Sequence, residues 1–134
     1  MLPRHDRLAF TGHRGLPDDV ERLIDDVLRT ELERFDATEL VGYSSLADGA
    51  DTLFARAVLD LGGRLVAIIP AADYREALPV AHRSVLDDLV TQAVEVVTLD
   101  FPESTSESHM AAARWFLDHA DELIAVWDGQ PARG

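Results

Sequence analysis

The chain has 134 residues, 47% of them hydrophobic, which is enough to build one domain around a single core. Its 25 acidic and 12 basic residues give a formal charge of −13, so the surface repels polyanions unless the arginines cluster, which argues against nucleic acid as a partner. The absence of cysteine excludes disulfides, thiolate metal ligands and thiol nucleophiles. The N-terminal residues lack the long apolar run of a signal peptide or a membrane span, so we expect a cytoplasmic protein without a membrane partner.

Short apolar runs alternate with segments of helical period along the whole chain, a pattern typical of βαβ units and a parallel sheet. The predicted strands cover residues 7–11, 39–43, 65–69, 94–99 and 122–127. The predicted helices cover residues 17–35, 51–61, 80–93 and 107–119, with a short helical piece at 72–77. We therefore expect one Rossmann-like α/β domain over residues 1–134, with three layers: a doubly wound sheet of about five parallel strands and helices on both faces.

The first predicted helix begins at Pro17, whose fixed φ suits a first helical position. Its apolar residues recur at steps of three and four and are expected to form one buried stripe. The members of this stripe are Val20, Leu23, Ile24, Val27, Leu28 and Leu32.

Small polar residues follow the first predicted strand, in the order Thr11-Gly12-His13-Arg14-Gly15. Gly12 and Gly15 allow the backbone to approach a phosphate closely, and free N–H groups at the start of the next helix favour negative charge. The Arg14 guanidinium can bind a phosphate or carboxylate through two hydrogen bonds, and Thr11 and His13 add further donors. We expect this loop to contact a ligand; the alternative is an ordinary βα turn with Arg14 at the surface.

The junction after the second predicted strand carries carboxylates at a helix start. A carboxylate repels phosphate but accepts hydrogen bonds from ribose hydroxyls, and glycine or alanine would let a sugar or base lie against the backbone. The candidate ligand contacts are Ser44, Ser45, Asp48, Gly49, Ala50 and Asp51. The alternative is purely structural, because serine and aspartate also cap helices.

A third junction follows the last predicted strand, at Trp127-Asp128-Gly129. Asp128 and Gly129 are candidate ligand contacts because the carboxyl ends of parallel strands lie at one edge of the sheet. Trp127 could stack on a base, although an aromatic residue at the end of a central strand more often packs in the core. Arg133 is either an anion contact or part of a loose terminus.

No metal site is expected, because the five histidines show no H-x-x-H or H-E-x-x-H spacing. Tyr74, Arg75, His82 and Arg83 follow the third predicted strand. We interpret them as surface residues, with a place at the border of the ligand cleft as the alternative.

Three segments together resemble a known family: Thr-Gly-His-Arg at 11–14, Leu-Ala-Asp-Gly-Ala-Asp at 46–51, and Ala-Asp-Glu-Leu-Ile-Ala-Val-Trp-Asp-Gly at 120–129. The chain resembles the SLOG superfamily, the Rossmann-like group that includes the DNA-processing protein DprA and the LOG phosphoribohydrolases. This resemblance implies a domain that binds nucleotides or nucleotide-derived molecules, as a sensor in some members and as an N-glycosidic hydrolase in others. It implies that Gly12 and Arg14 are the ligand-binding residues of the loop after the first strand. Asp48, Gly49 and Asp51 are then the ligand-binding residues of the loop after the second strand.

One departure from the family pattern concerns the C-terminus. Members usually continue after the fifth strand into a G-G-T segment that opens another helix and, in the LOG enzymes, carries a catalytic glutamate. This sequence ends at Gly134 without that segment. Either it is a truncated form of a longer protein, or this member lacks one wall of the pocket and needs a partner, such as a second copy in a homo-oligomer. We therefore rank binding above catalysis.

The first hypothesis is a small domain that binds a nucleotide, ADP-ribose or an NAD-derived ligand, with phosphate on the loop 12–15 and ribose near Asp48 and Asp51. The second is a hydrolase of the N-glycosidic or phosphate bond of a nucleotide, with Asp48 or Asp51 as acid, base or ribose anchor. The third is a DprA-like binder of single-stranded DNA, which the acidic charge opposes. A structural or interaction module with a closed cleft is the remaining alternative.

Overall fold

The computed structural model describes residues 6–12 and 14–126. Its five strands are β1 (Arg7–Gly12), β2 (Val41–Ser44), β3 (Arg64–Ile69), β4 (Glu95–Thr98) and β5 (Glu122–Val126). Its helices are α1 (Asp18–Leu32), α2 (Ala50–Asp60), the short α3 (Tyr74–Ala77), α4 (Val80–Gln92) and α5 (Ser106–His119). The predicted alternation of strands and helices is confirmed, with boundaries displaced by a few residues.

The five strands form one parallel sheet in the order β4-β3-β2-β1-β5. Strands β1 to β4 follow one another in a single direction across the sheet, and the chain then returns to place β5 on the other side of β1. In the register of the central strands, Ala9 lies between Tyr43 of β2 and Leu123 of β5. The strand order therefore reverses at β1, and the crevice beyond the carboxyl ends of β1 and β5 is where open α/β sheets bind their ligands.

Helices cover both faces of this sheet. On one face Phe10 of β1 stacks on Phe54 of α2, with 4.8 Å between ring centroids, and Leu28 of α1 joins the same cluster. Helix α4 extends this face by packing Leu89 near β3. On the opposite face, Phe116 of α5 packs against β1, β2 and β3. The predicted three-layer, Rossmann-like α/β architecture is confirmed.

The predicted stripe on α1 is only partly buried. Leu28 and Leu32 are almost completely buried, and Ile24 packs against the same cluster. Leu23 and Val27 are instead 63% and 58% exposed, and Val20 is exposed as well, so the expectation of one fully buried stripe was wrong at these three positions. The physical reason is that α1 lies over β1 and β5, and β5 is the last strand of the sheet, so no described element covers the outer side of the helix.

Candidate functional site

A cavity of about 300 Å³ opens at the carboxyl edge of the sheet, between the ends of β1 and β2 and helix α5. This volume is at the lower end of the range found for small-molecule sites. The described residues that line it are Phe10, Thr11, Gly12, Arg14, Ser45, Ala47, Asp51, Tyr74, His109, Ala112, Ala113, Phe116, Leu117 and Leu123. The cavity therefore lies beside the point at which the strand order reverses.

Arg14 reaches the cavity from the loop after β1. Its Nε donates to Oδ1 of Asp48, in the loop after β2, at 2.8 Å, so the first and second loops are joined by an ion pair. The Arg14 side chain is 51% exposed, and an ion pair in that position adds little stability. Within the described residues only Nε of this guanidinium has a partner, so its other N–H groups can bind an anion.

The two glycines of the first loop are needed for different reasons. A Cβ on Gly12 would lie 2.6 Å from the Cβ of Ala50, so the glycine allows the start of α2 to pack closely on β1. Gly15 has a φ of +62° and open space where a Cβ would point, so its requirement is conformational. Gly12 lines the cavity, whereas Gly15 does not.

The start of α1 is acidic. Helix α1 begins at Asp18 rather than at the predicted Pro17, which precedes it, and Asp18, Asp19 and Glu21 occupy its first turn. These carboxylates stabilise the positive end of the helix and would repel a phosphate there, and Pro17 has no N–H to donate. A phosphate in the first loop would therefore depend on Arg14 rather than on the N–H groups of this helix.

The loop after β2 is held by its own side chains. Ser44 is fully buried, and its Oγ accepts a hydrogen bond from the Leu46 N–H at 3.0 Å. Leu46 has a φ of 58°, in the left-handed region that such a side chain seldom adopts, and its carbonyl accepts from Nε2 of His82 at 2.8 Å. The Thr52 hydroxyl donates to the Ala47 carbonyl at 2.9 Å. These contacts fix the backbone that presents the first turn of α2 to the cavity.

Asp51 lies in that first turn and lines the cavity, although only 8% of its surface is exposed. Its Oδ2 accepts a hydrogen bond from the Ala47 N–H at 3.3 Å, and its Oδ1 has no partner among the described residues. Burial, followed by the negative charge of Asp48, raises the pKa of Asp51 to about 7, while the Ala47 N–H and the Arg14 guanidinium favour the charged form. Groups that exchange a proton near neutral pH are concentrated at functional sites.

Tyr74 and His109 also line the cavity. Tyr74 is 2% exposed, and its ring lies 6.0 Å from the His109 imidazole, centroid to centroid. Burial, followed by the negative charge of Asp51, raises the pKa of Tyr74, so its hydroxyl keeps its proton. Burial and the positive charge of Arg14 lower the pKa of His109, whose Nε2 lies 2.9 Å from Oγ of Ser104. Both residues carry polar atoms at the border of the cavity.

The remaining wall is apolar. It consists of one side of α5, with Ala112, Ala113, Phe116 and Leu117, and of Leu123 from β5. Leu117 is 68% exposed, so this wall continues from the cavity onto the surface. A wall of this kind offers contact to a planar apolar group such as a base, but no hydrogen bond from its side chains.

Across residues 6–12 and 14–126, no group of three or more histidine, cysteine, aspartate or glutamate side chains is arranged to hold a metal ion. No helix in the same residues combines the length and apolar character needed to cross a bilayer.

Comparison with known proteins gives matches among solved structures. The structure of DNA processing protein A (DprA) from Streptococcus pneumoniae matches with a TM-score of 0.64 and 21% identity, over 89% of this chain and 40% of that one. DprA from Helicobacter pylori, described for its single-stranded DNA binding mode, matches with a TM-score of 0.64 and 18% identity, over 94% of this chain and 56% of that one. A structural genomics target, TM1055, matches with a TM-score of 0.57 and 18% identity, over 90% of this chain and 59% of that one.

The chain has the fold of the DprA proteins. This finding is consistent with the SLOG resemblance carried by the sequence motifs. The chain spans about two fifths to three fifths of the length of these neighbours. Neither a family model nor a curated protein sequence matches it.

The DprA-like fold brings five of the residues singled out in the sequence together around the cavity. They are Thr11, Gly12, Arg14, Ser45 and Asp51. Asp48 reaches the site through its ion pair with Arg14. Gly15, Ser44, Gly49 and Ala50 do not line the cavity. His13, Asp128 and Gly129, together with Trp127 and Arg133, lie outside the described residues.

Sequence reasoning missed the other half of the cavity. Tyr74 and His82 are both buried, so their interpretation as surface residues is wrong. Tyr74 lines the cavity, which is the alternative position that the sequence left open for it. His109 and Phe116 were seen only as parts of a helix. The position of Tyr74 directly after the third strand was the available signal, because that strand ends at the same edge of the sheet as β1 and β2.

Proposed function

We propose that this domain binds a nucleotide or a nucleotide-derived small molecule, such as ADP-ribose or an NAD-derived ligand, in the cavity at the carboxyl edge of the sheet. The observation that carries the proposal is that Arg14 from the loop after β1, Asp51 from the start of α2 and Tyr74 from the start of α3 meet an apolar wall around one cavity. Few polar groups set against a mainly apolar lining are typical of small-molecule sites. The resemblance of the sequence motifs to the SLOG superfamily implies the same ligand class.

The phosphate would bind Arg14. The guanidinium is half exposed and uses only Nε for Asp48 within the described residues, so two terminal nitrogens are free to form the paired hydrogen bonds that a phosphate accepts. Asp48 orients Arg14 and reduces its net charge. This arrangement favours a ligand with a single phosphate group or a diphosphate over a long polyanion.

The base would lie on the apolar wall formed by Phe116, Leu117 and Leu123. Their side chains give van der Waals contact over a planar ring, and the small Ala112 and Ala113 of the same helix leave room for it. The ribose then lies between the base and the phosphate, next to the loop that carries Asp51.

A thermal-shift screen tests the proposal. We expect at least one compound among AMP, ADP-ribose and NAD to raise the midpoint of unfolding, because a ligand that binds only the folded state stabilises it. Arg14→Ala should abolish this response. The matched control is Arg83→Ala, because Arg83 is a partly exposed arginine that binds carbonyl oxygens of α3 and does not line the cavity. Absence of a shift with every compound would refute the proposal.

Single-stranded DNA is the second candidate ligand, because one structural neighbour is described by its single-stranded DNA binding mode. The formal charge of −13 and the pairing of Arg14 with Asp48 oppose it in this chain. A fluorescence anisotropy titration with a labelled single-stranded oligonucleotide tests whether the chain binds DNA. Binding that weakens steeply as salt increases would favour DNA over a small molecule.

Hydrolysis of an N-glycosidic bond is the third candidate, because Asp51 is a buried carboxyl group in the cavity that exchanges a proton near neutral pH. In that reaction water adds across the bond, giving free base and ribose 5-phosphate. Incubation with nucleoside monophosphates, followed by chromatography for free base, tests it. No turnover, or turnover unchanged in Asp51→Asn, would rule out this role.

A further inference from the structure

The deepest polar groups of the cavity are a carboxyl and a phenol. Asp51 and Tyr74 are both more than nine-tenths buried, and both line the cavity. Oδ1 of Asp51 and the hydroxyl of Tyr74 make no hydrogen bond to any other described residue. Because no fully buried side-chain polar atom in the described part of the chain lacks a partner, these two atoms keep some solvent-accessible surface, and both residues line the cavity. Two buried side chains of the cavity lining thus each have a polar atom that can form a hydrogen bond with a ligand.

The two side chains interact electrostatically. The charge of Asp51 is close enough to Tyr74 to influence the ionisation of the phenol. A carboxylate accepts hydrogen bonds, and a protonated phenol donates one as well as accepting one. Ser45 adds a further hydroxyl to the lining.

This set of acceptors and donors does not suit a phosphate, since the Asp51 carboxyl repels it once ionised and the Tyr74 hydroxyl supplies only one hydrogen-bond donor. It does suit two adjacent hydroxyl groups, each of which donates one hydrogen bond and accepts others. We propose that Asp51 and Tyr74 recognise the 2′,3′-diol of a ribose, so that the site selects ribonucleotides over 2′-deoxyribonucleotides. This inference rests on the proposed function and names the part of the ligand that is selected.

The expected selectivity follows from the burial of both groups. A ligand without the 2′-hydroxyl would leave a buried polar atom unpaired, and sites built around a hydroxyl reject the analogue that lacks it. We expect a ribonucleotide to bind at least about tenfold more tightly than its 2′-deoxy analogue. The pairing of Arg14 with phosphate is the same for both ligands, so it does not contribute to this ratio.

Isothermal titration calorimetry with AMP, GMP, CMP and UMP and their 2′-deoxy counterparts tests the inference. In Tyr74→Phe and Asp51→Asn the ratio of the two dissociation constants should fall towards one, while the affinity for the deoxy compound changes little. Tyr43→Phe is the matched control, because Tyr43 is a buried tyrosine outside the cavity, and its ratio should equal that of the wild type. Circular dichroism of each variant shows whether it is folded.

The outcomes separate the two proposals. Equal binding of ribo and deoxy compounds by the wild type, or a ratio that neither variant changes, would overturn the ribose inference while nucleotide binding itself stands. No heat of binding with any of the eight compounds, together with no thermal shift from ADP-ribose or NAD, would overturn both. A preference for the deoxy compounds would overturn the inference in favour of a DNA-like ligand.

Discussion

The buried carboxyl of Asp51 should make the stability of the fold depend on pH in a defined way. Its pKa is about 7 in the folded state against an ordinary value of 3.8. The unfolded chain therefore loses this proton first as pH rises, and between about pH 4 and pH 7 the folded state holds more protons. The free energy of unfolding therefore falls as pH rises from about 4 to 7. The stabilisation that comes from the protonated Asp51 carboxyl is complete only below about pH 4.

The magnitude follows from the two pKa values. Each pKa unit corresponds to about 1.4 kcal/mol, so the whole effect is at most about 4 kcal/mol, and the part between pH 5 and pH 8 is about 2.5 kcal/mol. Asp51→Asn removes the titration but keeps an oxygen that can accept from the Ala47 N–H. The difference in unfolding free energy between wild type and variant should therefore change by about 2.5 kcal/mol in favour of the variant as pH rises from 5 to 8.

Urea unfolding at several pH values measures this difference, in which the titration of all other groups cancels. Asp19→Asn is the matched control for the loss of one carboxylate from the first turn of a helix, because Asp19 is exposed. If the difference in unfolding free energy between wild type and Asp51→Asn changes no more from pH 5 to pH 8 than the difference for Asp19→Asn, the reasoning is refuted. The pKa of Asp51 would then not be raised in the folded protein.

Four other substitutions test the packing and the first loop by urea unfolding. Gly12→Ala should lower the free energy of unfolding by about 1–3 kcal/mol, because the new methyl group meets the Cβ of Ala50; an unchanged value would contradict this contact. Leu28→Ala should lower the free energy of unfolding by about 2–5 kcal/mol, and Leu23→Ala should lower it by no more than about 0.5 kcal/mol. Equal losses in the two variants would argue against the orientation of α1. Arg14→Ala should cost less than about 1 kcal/mol, and a larger loss would mean that its ion pair is structural.

The fold could be predicted from the sequence because local pattern and global topology agree. Alternating apolar runs and amphipathic segments indicate βα units, and the right-handed crossover rule leaves few ways to assemble them. The buried stripe on α1 could not be predicted correctly, because periodicity identifies an apolar side of a helix but not how far the sheet extends beneath it. Leu23 and Leu28 belong to the same pattern, yet only Leu28 is buried in the cluster formed by β1 and α2.

The candidate site could be predicted only in part. Polar loops that follow strands pointed to Arg14, Ser45 and Asp51, because parallel strands end at one edge of a sheet. The ion pair between Arg14 and Asp48 spans 34 residues and has no local signal. Helix α5 lies on the face of the sheet opposite to α1 and α2, and some of its residues line the cavity. The periodicity of a helix does not indicate which of its apolar residues face a cavity and which face the core.

The central claim is that the cavity at the carboxyl edge of the sheet binds a nucleotide-derived molecule. An NMR titration of the nitrogen-15-labelled chain with AMP, ADP-ribose and NAD in turn tests it most directly, because the backbone amide signals report where a ligand binds. We predict saturable shifts for at least one compound, concentrated at Thr11, Arg14, Ser45 and Asp51 and along the side of α5 that faces the cavity. Shifts confined to other surfaces, or no shifts with any of the three compounds, would contradict the claim.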